Sequence, residues 1–558
     1  MSVDKTKLEK LKKMLKVSDS IKMDQMRNAL KMEKALFDEK IFDWADEFGF
    51  RIDGDLIKIQ SESVDKFIDM LDSQFKSWES KEKTGEGKIV TRAKIAPQIH
   101  LTPASAKEKI KKVKEKPIRA EKVKIEPDEK ANKVISFKGA QIRQFEADVL
   151  QEIEKITKKE FTKVDKVKYD TNVGFSAENN RVTGIGLNDY GLSTLPESIS
   201  NLTSLQELYL YNNKLSTLPE SIGQLSSLQT LFIQSNHYLT TLPESIGQLK
   251  SLINLYLGGN QLSTLPESLG NLTSLERLFL GQNDLTTLPK SIGKLSSLIE
   301  LWLDYNKLST LPESITKLTS LLRLYLNGNY FSTLPESLGN LTSLERLFLG
   351  QNDLITLPES IGKLSSLIEL GLGVNKLSTL PESIGNLMSL KDLNLYANYF
   401  STLPESLTQL KSLQNLWFSD NRLTTLSESI EQLSSLIILT LNVNKLSTLP
   451  ESITKLSSLL RLEVTNNQFT TLPESITQLK SLKYLILSSN KFTTLPESIG
   501  NLISLEELNL NRNQLTTLPE ALINLNSLKI LNVKDNPLNS KSKALVEKLK
   551  KKGVTIDG

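Results

Sequence analysis

The sequence has no cysteine and only two histidines, His100 and His237, among its 558 residues. Without cysteine there is no disulfide framework, no thiolate ligand for zinc or an iron–sulfur cluster, and no cysteine nucleophile, which excludes a thiol-dependent ubiquitin ligase. Two histidines give almost no material for a metal site or a histidine-based proton relay. We therefore predict a chain without metal or cofactor, suited to a reducing compartment.

Long apolar runs are also missing, since none approaches the roughly 18 residues that a membrane span needs. The amino-terminal stretch MSVDKTKLEKLKKML is charged throughout, unlike the apolar region of a signal peptide. The formal net charge is only +4, and charged residues make up an ordinary 24%. These features predict a soluble, cytoplasmic chain with no membrane span.

Motifs of common catalytic sites are absent as well. The sequence has no GxxxxGK[ST] phosphate-binding loop, no protein-kinase signature and no nucleophile elbow. The pair Gly184 and Gly186 lacks the third glycine of a dinucleotide-binding loop. We therefore predict that the chain is not an enzyme, and that any GTPase activity associated with it belongs to another chain.

What the sequence does contain is a long internal repeat. Alignment on the proline of the TLPES motif gives a step of 23 residues, with one 24-residue step after Pro219 and with Ser427 in place of one proline. Such a period is typical of a solenoid whose neighbouring repeats share one core. The prolines of this column are Pro196, Pro219, Pro243, Pro266, Pro289, Pro312, Pro335, Pro358, Pro381, Pro404, Pro450, Pro473, Pro496 and Pro519.

A column of asparagines runs in phase with the prolines, at the end of the pattern LxxLxLxxN. Within this pattern, leucines at period two such as Leu208 and Leu210 face the core of a short strand, and the residue between them faces outward. We expect the asparagine amide to pair with backbone groups that the turn leaves unpaired, so its removal costs about 1–3 kcal/mol. This structural role is predicted for Asn213, Asn236, Asn260, Asn283, Asn306, Asn329, Asn352, Asn375, Asn398, Asn421, Asn444, Asn467, Asn490, Asn513 and Asn536.

The repeat LTSLQELYLYNNKLSTLPESIGQ resembles the leucine-rich repeat, and its 23-residue LPESI form resembles the Ras-group subgroup of intracellular leucine-rich repeat proteins. The resemblance covers residues 182–538. It implies an α/β horseshoe solenoid with parallel strands on the concave side. Short helices or 3-10 turns lie on the convex side, with proline and glutamate in their first turn. The subgroup includes scaffolds that join a Ras-like small GTPase to a phosphatase.

One part of the array is a recent duplication. Residues 270–300 recur almost unchanged at 339–369, an offset of three repeats. Identical surface residues in the two copies are therefore explained by copying as well as by selection for a partner.

The ends of a solenoid expose its core and need caps. We predict a carboxyl-terminal cap helix at 539–558 and an amino-terminal cap at 140–181. The segment GFSAENNRVTGIGL is expected to form an edge strand leading into the first repeat, where Tyr190 replaces the column asparagine. Helical spacing in the amino-terminal cap is shown by Ile142, Phe145, Val149, Ile153 and Ile156.

Residues 1–76 form a separate predicted module that resembles a winged-helix domain. Four helices are expected, the second of them marked by Ile21, Met26 and Leu30, with a hairpin FRIDGDLIKI before the last. The third helix, within 33–48, carries two lysines and six acidic residues, a net charge of −4 that suits DNA phosphates poorly. We therefore favour protein contact or self-association through residues 4–75 over nucleic-acid binding.

Residues 77–139 are predicted to be a basic, flexible linker. Residues 81–139 hold 17 Lys and Arg against 8 Asp and Glu. A solvated tether is the simpler interpretation. The alternatives are contact with an acidic membrane or RNA, or with the row of glutamates that follows the prolines of the array.

The outward position between the two leucines of LxL carries seven aromatic residues in succession. Exposed, contiguous aromatic side chains mark interaction surfaces, although rings in adjacent repeats can also stack and stiffen the array. With one later tryptophan, the predicted partner-binding residues of this column are Tyr209, Phe232, Tyr256, Phe279, Trp302, Tyr325, Phe348 and Trp417.

A neighbouring outward column supplies charges beside the rings. Aromatic anchors next to alternating charges suit a protein partner better than a small molecule, which would need a closed pocket. The predicted partner-binding charges are Arg277, Glu300, Arg323, Arg346, Glu369 and Asp392. Two hypotheses follow: a signalling scaffold that holds a folded protein such as a Ras-like GTPase or a phosphatase, or a ligand-sensing regulator whose winged helix contacts nucleic acid.

Overall fold

The computed structural model describes residues 133–168 and 170–557, together with Met26 and three short strands nearer the amino terminus. It divides the chain into two units, Met1–Ala120 and Glu121–Gly558. Met26 is helical, as predicted, but the rest of the helices of the predicted winged-helix module and most of the predicted linker lie outside the described residues.

In the first unit, β1 (Ser20–Lys22), β2 (Arg51–Asp53) and β3 (Leu56–Lys58) form an antiparallel sheet in the order β1-β3-β2. The β2–β3 hairpin pairs Asp53 with Leu56 across the predicted turn. The prediction that Ile21 belongs to a helix is wrong, because Ile21 pairs with Ile57 in the sheet. A two-stranded hairpin is only marginally stable, and this third strand extends its hydrogen-bonded ladder.

The second unit begins with an antiparallel hairpin of β4 (Val134–Phe137) and β5 (Ala140–Arg143), followed by α1 (Gln144–Thr157). Lys138 and Gly139 both have positive φ, as the two-residue turn of a twisted hairpin requires. Strand β4 lies inside the segment predicted as linker. Ile142 lies in β5 and not in the helix, so both predictions are corrected at this boundary.

The segment predicted as one edge strand is instead a second hairpin, of β7 (Val173–Glu178) and β8 (Arg181–Leu187). Asn179 and Asn180 at its tip both have positive φ, which asparagine tolerates better than most residues. Glu146 of α1 is fully buried and accepts hydrogen bonds from the Arg181 side chain at 2.6 Å and from the Val182 N–H at 2.9 Å. This buried ion pair fastens the cap helix to the hairpin.

From this cap onward, strand pairing runs without interruption through one sheet, in which only β7 and β8 are antiparallel. Its members are β6 (Thr162–Lys163), β7, β8, β9 (Glu207–Tyr209), β10 (Thr230–Phe232), β11 (Asn254–Tyr256), β12 (Arg277–Phe279), β13 (Glu300–Trp302), β14 (Arg323–Tyr325), β15 (Arg346–Phe348), β16 (Glu369–Gly371), β17 (Asp392–Asn394), β18 (Asn415–Trp417), β19 (Ile438–Thr440), β20 (Arg461–Glu463), β21 (Tyr484–Ile486), β22 (Glu507–Asn509), β23 (Ile530–Asn532) and β24 (Thr555–Asp557).

Each repeat strand pairs in register with the next, so that equivalent residues lie side by side along the array. Leu208 lies opposite Leu231, which lies opposite Leu255, and all three are fully buried. The leucines between the strands and the turns fill the same continuous core. The predicted leucine-rich solenoid with parallel strands is therefore confirmed.

The other side of each repeat is a five-residue 3-10 helix. A proline, or Ser427 once, stands immediately before each of these helices with extended backbone, and not in the first turn as predicted. Proline suits this place because its fixed φ is also compatible with extended backbone. The helices are Glu197–Asn201, Glu220–Gln224, Glu244–Gln248, Glu267–Asn271, Lys290–Lys294, Glu313–Lys317, Glu336–Asn340, Glu359–Lys363, Glu382–Asn386, Glu405–Gln409, Glu428–Gln432, Glu451–Lys455, Glu474–Gln478, Glu497–Asn501 and Glu520–Asn524.

The row of glutamates joins successive 3-10 helices. The Glu267 carboxylate accepts the backbone N–H groups of Lys290 and Ser291 in the next helix at 3.1 and 3.0 Å. The Ser291 hydroxyl and the two N–H groups lower the pKa of Glu267. The same bridge joins Glu336 to Ser360 and Glu428 to Ser452. Because the preceding prolines have no side-chain donor or acceptor, these three glutamates act as caps of the neighbouring helix's first turn.

The asparagine column lies inside the array. The Asn375 amide donates to the carbonyl oxygens of Leu349 at 2.9 Å and Leu372 at 3.0 Å. Its Oδ1 accepts the N–H of Leu354 at 3.0 Å. The side chain thus joins two neighbouring repeats through backbone groups that the turn would leave buried and unpaired.

The carboxyl-terminal end is covered by α2 (Ser540–Lys551), which Asn539 caps by accepting the Ser542 N–H at 2.9 Å. The last strand, β24, continues the parallel sheet beyond β23 and was not predicted from the sequence. Over the part of the chain that the structure describes, no helix has the length and apolar character required to cross a bilayer.

Candidate interaction face

Seven aromatic side chains lie in a row along strands β9 to β15, because strand pairing places each directly opposite the next. We call this row the aromatic ladder. Successive ring centroids, from Tyr209 through Phe232, Tyr256, Phe279, Trp302 and Tyr325 to Phe348, are 5.8, 4.7, 4.6, 5.1, 4.0 and 5.0 Å apart. The planes of neighbouring rings differ by 8–33°. The rings therefore stack on one another along the sheet, as aromatic pairs at these separations do.

The ladder rings are half-buried, except for Phe232, which is buried. Burial raises the pKa of Tyr209 to about 12, and it also raises the pKa of Tyr256 and Tyr325. These phenols are therefore protonated at neutral pH. Each ring has a neighbour against its face, and all except Phe232 still present part of their surface to solvent, so the same side chains can both stack and contact a partner.

A charged cluster holds Trp302 in place. The indole N–H donates to Glu300 Oε1 at 3.0 Å. The other carboxylate oxygen of Glu300 lies 3.7 Å from Arg277 Nε and 3.9 Å from Arg323 Nη1. Glu300 is buried, whereas the two guanidinium groups on the neighbouring strands remain partly exposed. The predicted charges Arg277, Glu300 and Arg323 therefore form one unit with the ladder.

The remaining predicted charges lie on the next strands. Arg346 Nε is 3.6 Å from Glu369 Oε2, and Asp392 accepts a hydrogen bond from the Asn415 amide. Burial raises the pKa of Glu369, which Arg346 lowers and Asp392 raises further. This part of the face carries two carboxylates and a single guanidinium.

Besides Glu300, a second carboxylate lies close to β13. It belongs to Asp304, which was not singled out from the sequence. It follows Trp302 by two residues and accepts the backbone N–H of Asn327 at 2.7 Å. In the next repeat Asn327 accepts the N–H of Gly350 in the same way, also at 2.7 Å. Burial raises the pKa of Asp304 to about 7, against the opposing effect of the Asn327 N–H.

Next to Trp417, the loops after β18 and β19 and strand β20 carry a network of polar side chains on this face. Ser419 bonds to Thr440 at 3.1 Å and accepts the N–H of Asn442 at 3.1 Å. The Asn442 amide donates to Glu463 at 2.6 Å, and Glu463 also pairs with Arg461. Small hydroxyl and amide side chains at successive repeats were the sequence signal for this network.

The predicted site residues fall into three places. The seven ladder aromatics and the charges from Arg277 to Asp392 come together on one continuous face. Trp417 shares that face but stands apart, with Asn394 and Thr440 as its neighbours on the paired strands. The asparagine column lies in the interior and offers no contact to a partner. Among the described residues, no group of three or more His, Asp or Glu side chains is arranged to hold a metal ion.

An array of this kind, with buried leucines, short parallel strands and a broad open face, defines a repeat solenoid of the leucine-rich class. The sequence model of the leucine-rich repeat region matches residues 188–284, 277–377 and 427–552. The chain belongs to the leucine-rich repeat family.

Solved structures agree with this assignment. A leucine-rich repeat protein of Leptospira interrogans shares 41% sequence identity and a TM-score of 0.63, over 67% of this chain and 95% of that one. TLR13 in its complex with ssRNA13 shares 25% identity and a TM-score of 0.55, over 67% of this chain and 61% of that one. None of the curated proteins compared with this chain matches it.

Proposed function

We propose that this chain is a non-enzymatic scaffold that captures a folded protein partner on the concave face of its repeat array. The observation that carries the proposal is the aromatic ladder, seven half-buried or buried rings in one line with charged groups beside them. Aromatic and arginine side chains supply most of the binding energy in protein interfaces. Core packing needs only the inward leucines, so it does not require rings at these outward positions.

The form of the face suits a protein better than a small molecule. The rings and charges extend across successive strands from β9 to β17, an open surface and not an enclosed pocket. Trp302 is held by Glu300 before any partner arrives, which lowers the ordering cost of binding. Arg277 and Arg323 flank it as partly exposed groups that remain available to the partner.

The finer proposal concerns the partner. The LPESI form of the repeat resembles the Ras-group subgroup, and on that resemblance we propose a Ras-like small GTPase or a phosphatase, bound in intracellular signalling in the cytoplasm. The module at residues 4–75 would then recruit a second protein or join two copies of the chain. These assignments are supported by the sequence pattern alone.

Affinity capture from a native lysate tests the proposal. The full chain is compared with a variant carrying Tyr256→Ala, Phe279→Ala, Trp302→Ala and Tyr325→Ala. Interface anchors contribute roughly 2 kcal/mol or more each, so the variant is expected to lose its partner completely. A control variant removes three exposed apolar side chains outside the strands, Tyr238→Ala, Met388→Ala and Ile503→Ala, and is expected to retain it.

Because the four rings also stack on one another, thermal unfolding of the variant is measured first. A charge reversal, Arg323→Glu, repeats the test without removing a ring. Retention of the same proteins by the wild type and by both altered faces would show that the ladder only stiffens the array. If the wild type captures a small GTPase or a phosphatase and both variants lose it, the proposed identity of the partner is established as well.

A further inference from the structure

The duplicated block lets two versions of the same surface be compared within one chain. In the first copy Arg277, Phe279 and Glu300 lie on β12 and β13, and in the second Arg346 and Phe348 lie on β15 with Glu369 on β16. The ion pairs have matching geometry, 3.7 Å from Arg277 to Glu300 and 3.6 Å from Arg346 to Glu369. Because the two copies share this geometry, residues that differ just beyond the duplicated block can be compared directly.

In the first copy, Trp302 lies on the strand next to Phe279 and makes two contacts. Its ring packs against Phe279 with centroids 5.1 Å apart, and its indole N–H donates to Glu300 at 3.0 Å. Arg323, on the following strand, adds a second positive charge 3.9 Å from the same carboxylate. Glu300 thus has a planar N–H donor and two guanidinium groups around it.

In the second copy both of these contributions are missing. The residue equivalent to Trp302 is Gly371, and the residue equivalent to Arg323 is Asp392. The Phe348 ring stacks on Tyr325 with centroids 5.0 Å apart, and among the described residues no ring covers its opposite face. It leans over Gly371 instead, with Cδ1 only 2.7 Å from where a Cβ would stand. We call this position of the column, between Phe348 and Asn394, the vacant rung, because Gly371 adds no side chain of its own beside the leaning Phe348 ring.

The charges around the vacant rung are unbalanced. Glu369 and Asp392 face it, and within the described residues Arg346 is the one basic group at ion-pair distance from Glu369. Burial raises the pKa of Glu369, and the neighbouring Asp392 adds to the rise, so the carboxylate gains from a further positive charge. A group that fits must therefore be planar, donate N–H bonds and carry a positive charge.

Histidine carries a charge only when it is protonated, so among protein side chains arginine alone has all three properties throughout the neutral pH range. Its guanidinium stacks on aromatic faces and forms paired N–H bonds to carboxylates, whereas lysine presents a compact charge without a plane. Indole has the plane and the N–H but no charge. We propose that the vacant rung binds an arginine side chain of the partner protein, which stacks on Phe348 and pairs with Glu369 and Asp392. This inference rests on the proposed function, since it names the partner chemistry recognised by the same concave face.

Selection from a phage-displayed library of random 12-residue peptides tests the inference on the full chain. Enriched peptides are expected to contain arginine next to apolar residues. Synthetic versions with arginine replaced by citrulline, its neutral planar counterpart, are expected to bind at least tenfold more weakly, and versions with lysine are expected to lie between. Enrichment without arginine, or no enriched sequence at all, would overturn the inference.

Two variants locate the peptide. Gly371→Trp fills the rung as Trp302 does in the first copy, and Glu369→Gln removes the charge without changing the shape. Each is expected to weaken peptide binding at least tenfold, whereas Asn509→Trp, in the same column near the far end of the array, is expected to leave it unchanged. The tryptophan in Gly371→Trp must displace Phe348, so this variant can fail to fold. In that case Glu369→Gln alone still tests the inference.

The two proposals fail in different ways. Peptide binding that is lost in the four-alanine ladder variant but kept in Glu369→Gln and Gly371→Trp would leave the concave scaffold standing and refute the arginine rung. Protein capture that is unaffected by the ladder variant would refute the scaffold face itself. Binding lost in all three variants supports both.

Discussion

The indole nitrogen of Trp302 and the carboxylate of Glu300, two residues apart on one strand, are joined by a 3.0 Å hydrogen bond on the concave face. Arg277 and Arg323 approach the same carboxylate from the strands on either side. Glu300 therefore orients the largest ring of the ladder and balances two cations at once.

Glu300→Gln is expected to destabilise the array, because two guanidinium groups lose their shared counter-charge. Partly exposed ion pairs are worth about 0.2–1 kcal/mol each, and with two arginines we expect a loss of about 0.5–2 kcal/mol in thermal or denaturant unfolding. Glu369→Gln is the matched control, since Glu369 has one arginine beside it and a pKa raised by burial. A loss at Glu369 equal to or larger than the loss at Glu300 would contradict this interpretation.

Lys290→Glu is expected to stabilise the protein. Lys290 stands where the equivalent duplicated residue is Glu359, whose carboxylate accepts the Ser383 N–H of the next 3-10 helix at 3.2 Å. A glutamate at 290 would cap the helix Glu313–Lys317 in the same way, a gain of about 0.5–1 kcal/mol. Lys294→Glu, at the other end of the same turn, offers no such cap, and an equal gain there would argue against the capping explanation.

Asp304→Asn is expected to stabilise the protein at pH 8 and to have less effect at pH 5. Burial raises the folded-state pKa of Asp304 to about 7, above its unfolded value, so folding favours the protonated acid. The associated stability is present near pH 4 and is lost as the pH rises towards 7. Asparagine keeps the acceptor for the Asn327 N–H, as Asn327 itself does for Gly350.

We therefore expect Asp304→Asn to exceed the wild type by about 1–3 kcal/mol at pH 8, measured by denaturant unfolding over a pH series. If the free energies of unfolding of the two proteins change in parallel between pH 5 and pH 8, the Asp304 carboxyl does not titrate as described.

Asn375→Ala is expected to cost about 1–3 kcal/mol, because the carbonyl oxygens of Leu349 and Leu372 lose a buried donor. Asn386→Ala, an exposed asparagine at the end of the following 3-10 helix, is the control and is expected to change stability by less than about 0.5 kcal/mol. Similar effects at the two positions in thermal unfolding would remove the structural role assigned to the column.

The repeat architecture was predictable because each repeat carries its own signals at short range. The period-two leucines around Leu208 locate the strands, and the proline column locates the turns. Asn179 and Asn180 also signalled a tight hairpin turn, but the surrounding segment was interpreted as a single strand. Strand β24 had no comparable signal, since its pairing depends on β23 being left as an open edge.

For the candidate site, the sequence predicted which residues share the outward face but not which side chains contact one another. Spacing places Glu300 and Trp302 on the same face, because alternate residues of a strand point the same way. The bond between them depends on side-chain rotamers and on Arg277 and Arg323 from other repeats, which spacing does not specify. Glutamate was correctly predicted in the first turn of its own helix, but that position does not reveal that Glu267 also caps the next helix.

The concave face as the partner surface can be tested most directly by site-specific photo-crosslinking in native lysate. The photo-reactive residue p-benzoylphenylalanine is placed at Asn394, on the concave strand β17, or at Met388, in the exposed loop before that strand. We predict a single protein adduct from position 394 and none from position 388. An adduct from position 388 alone, or equal adducts from both, would contradict partner binding on the concave face.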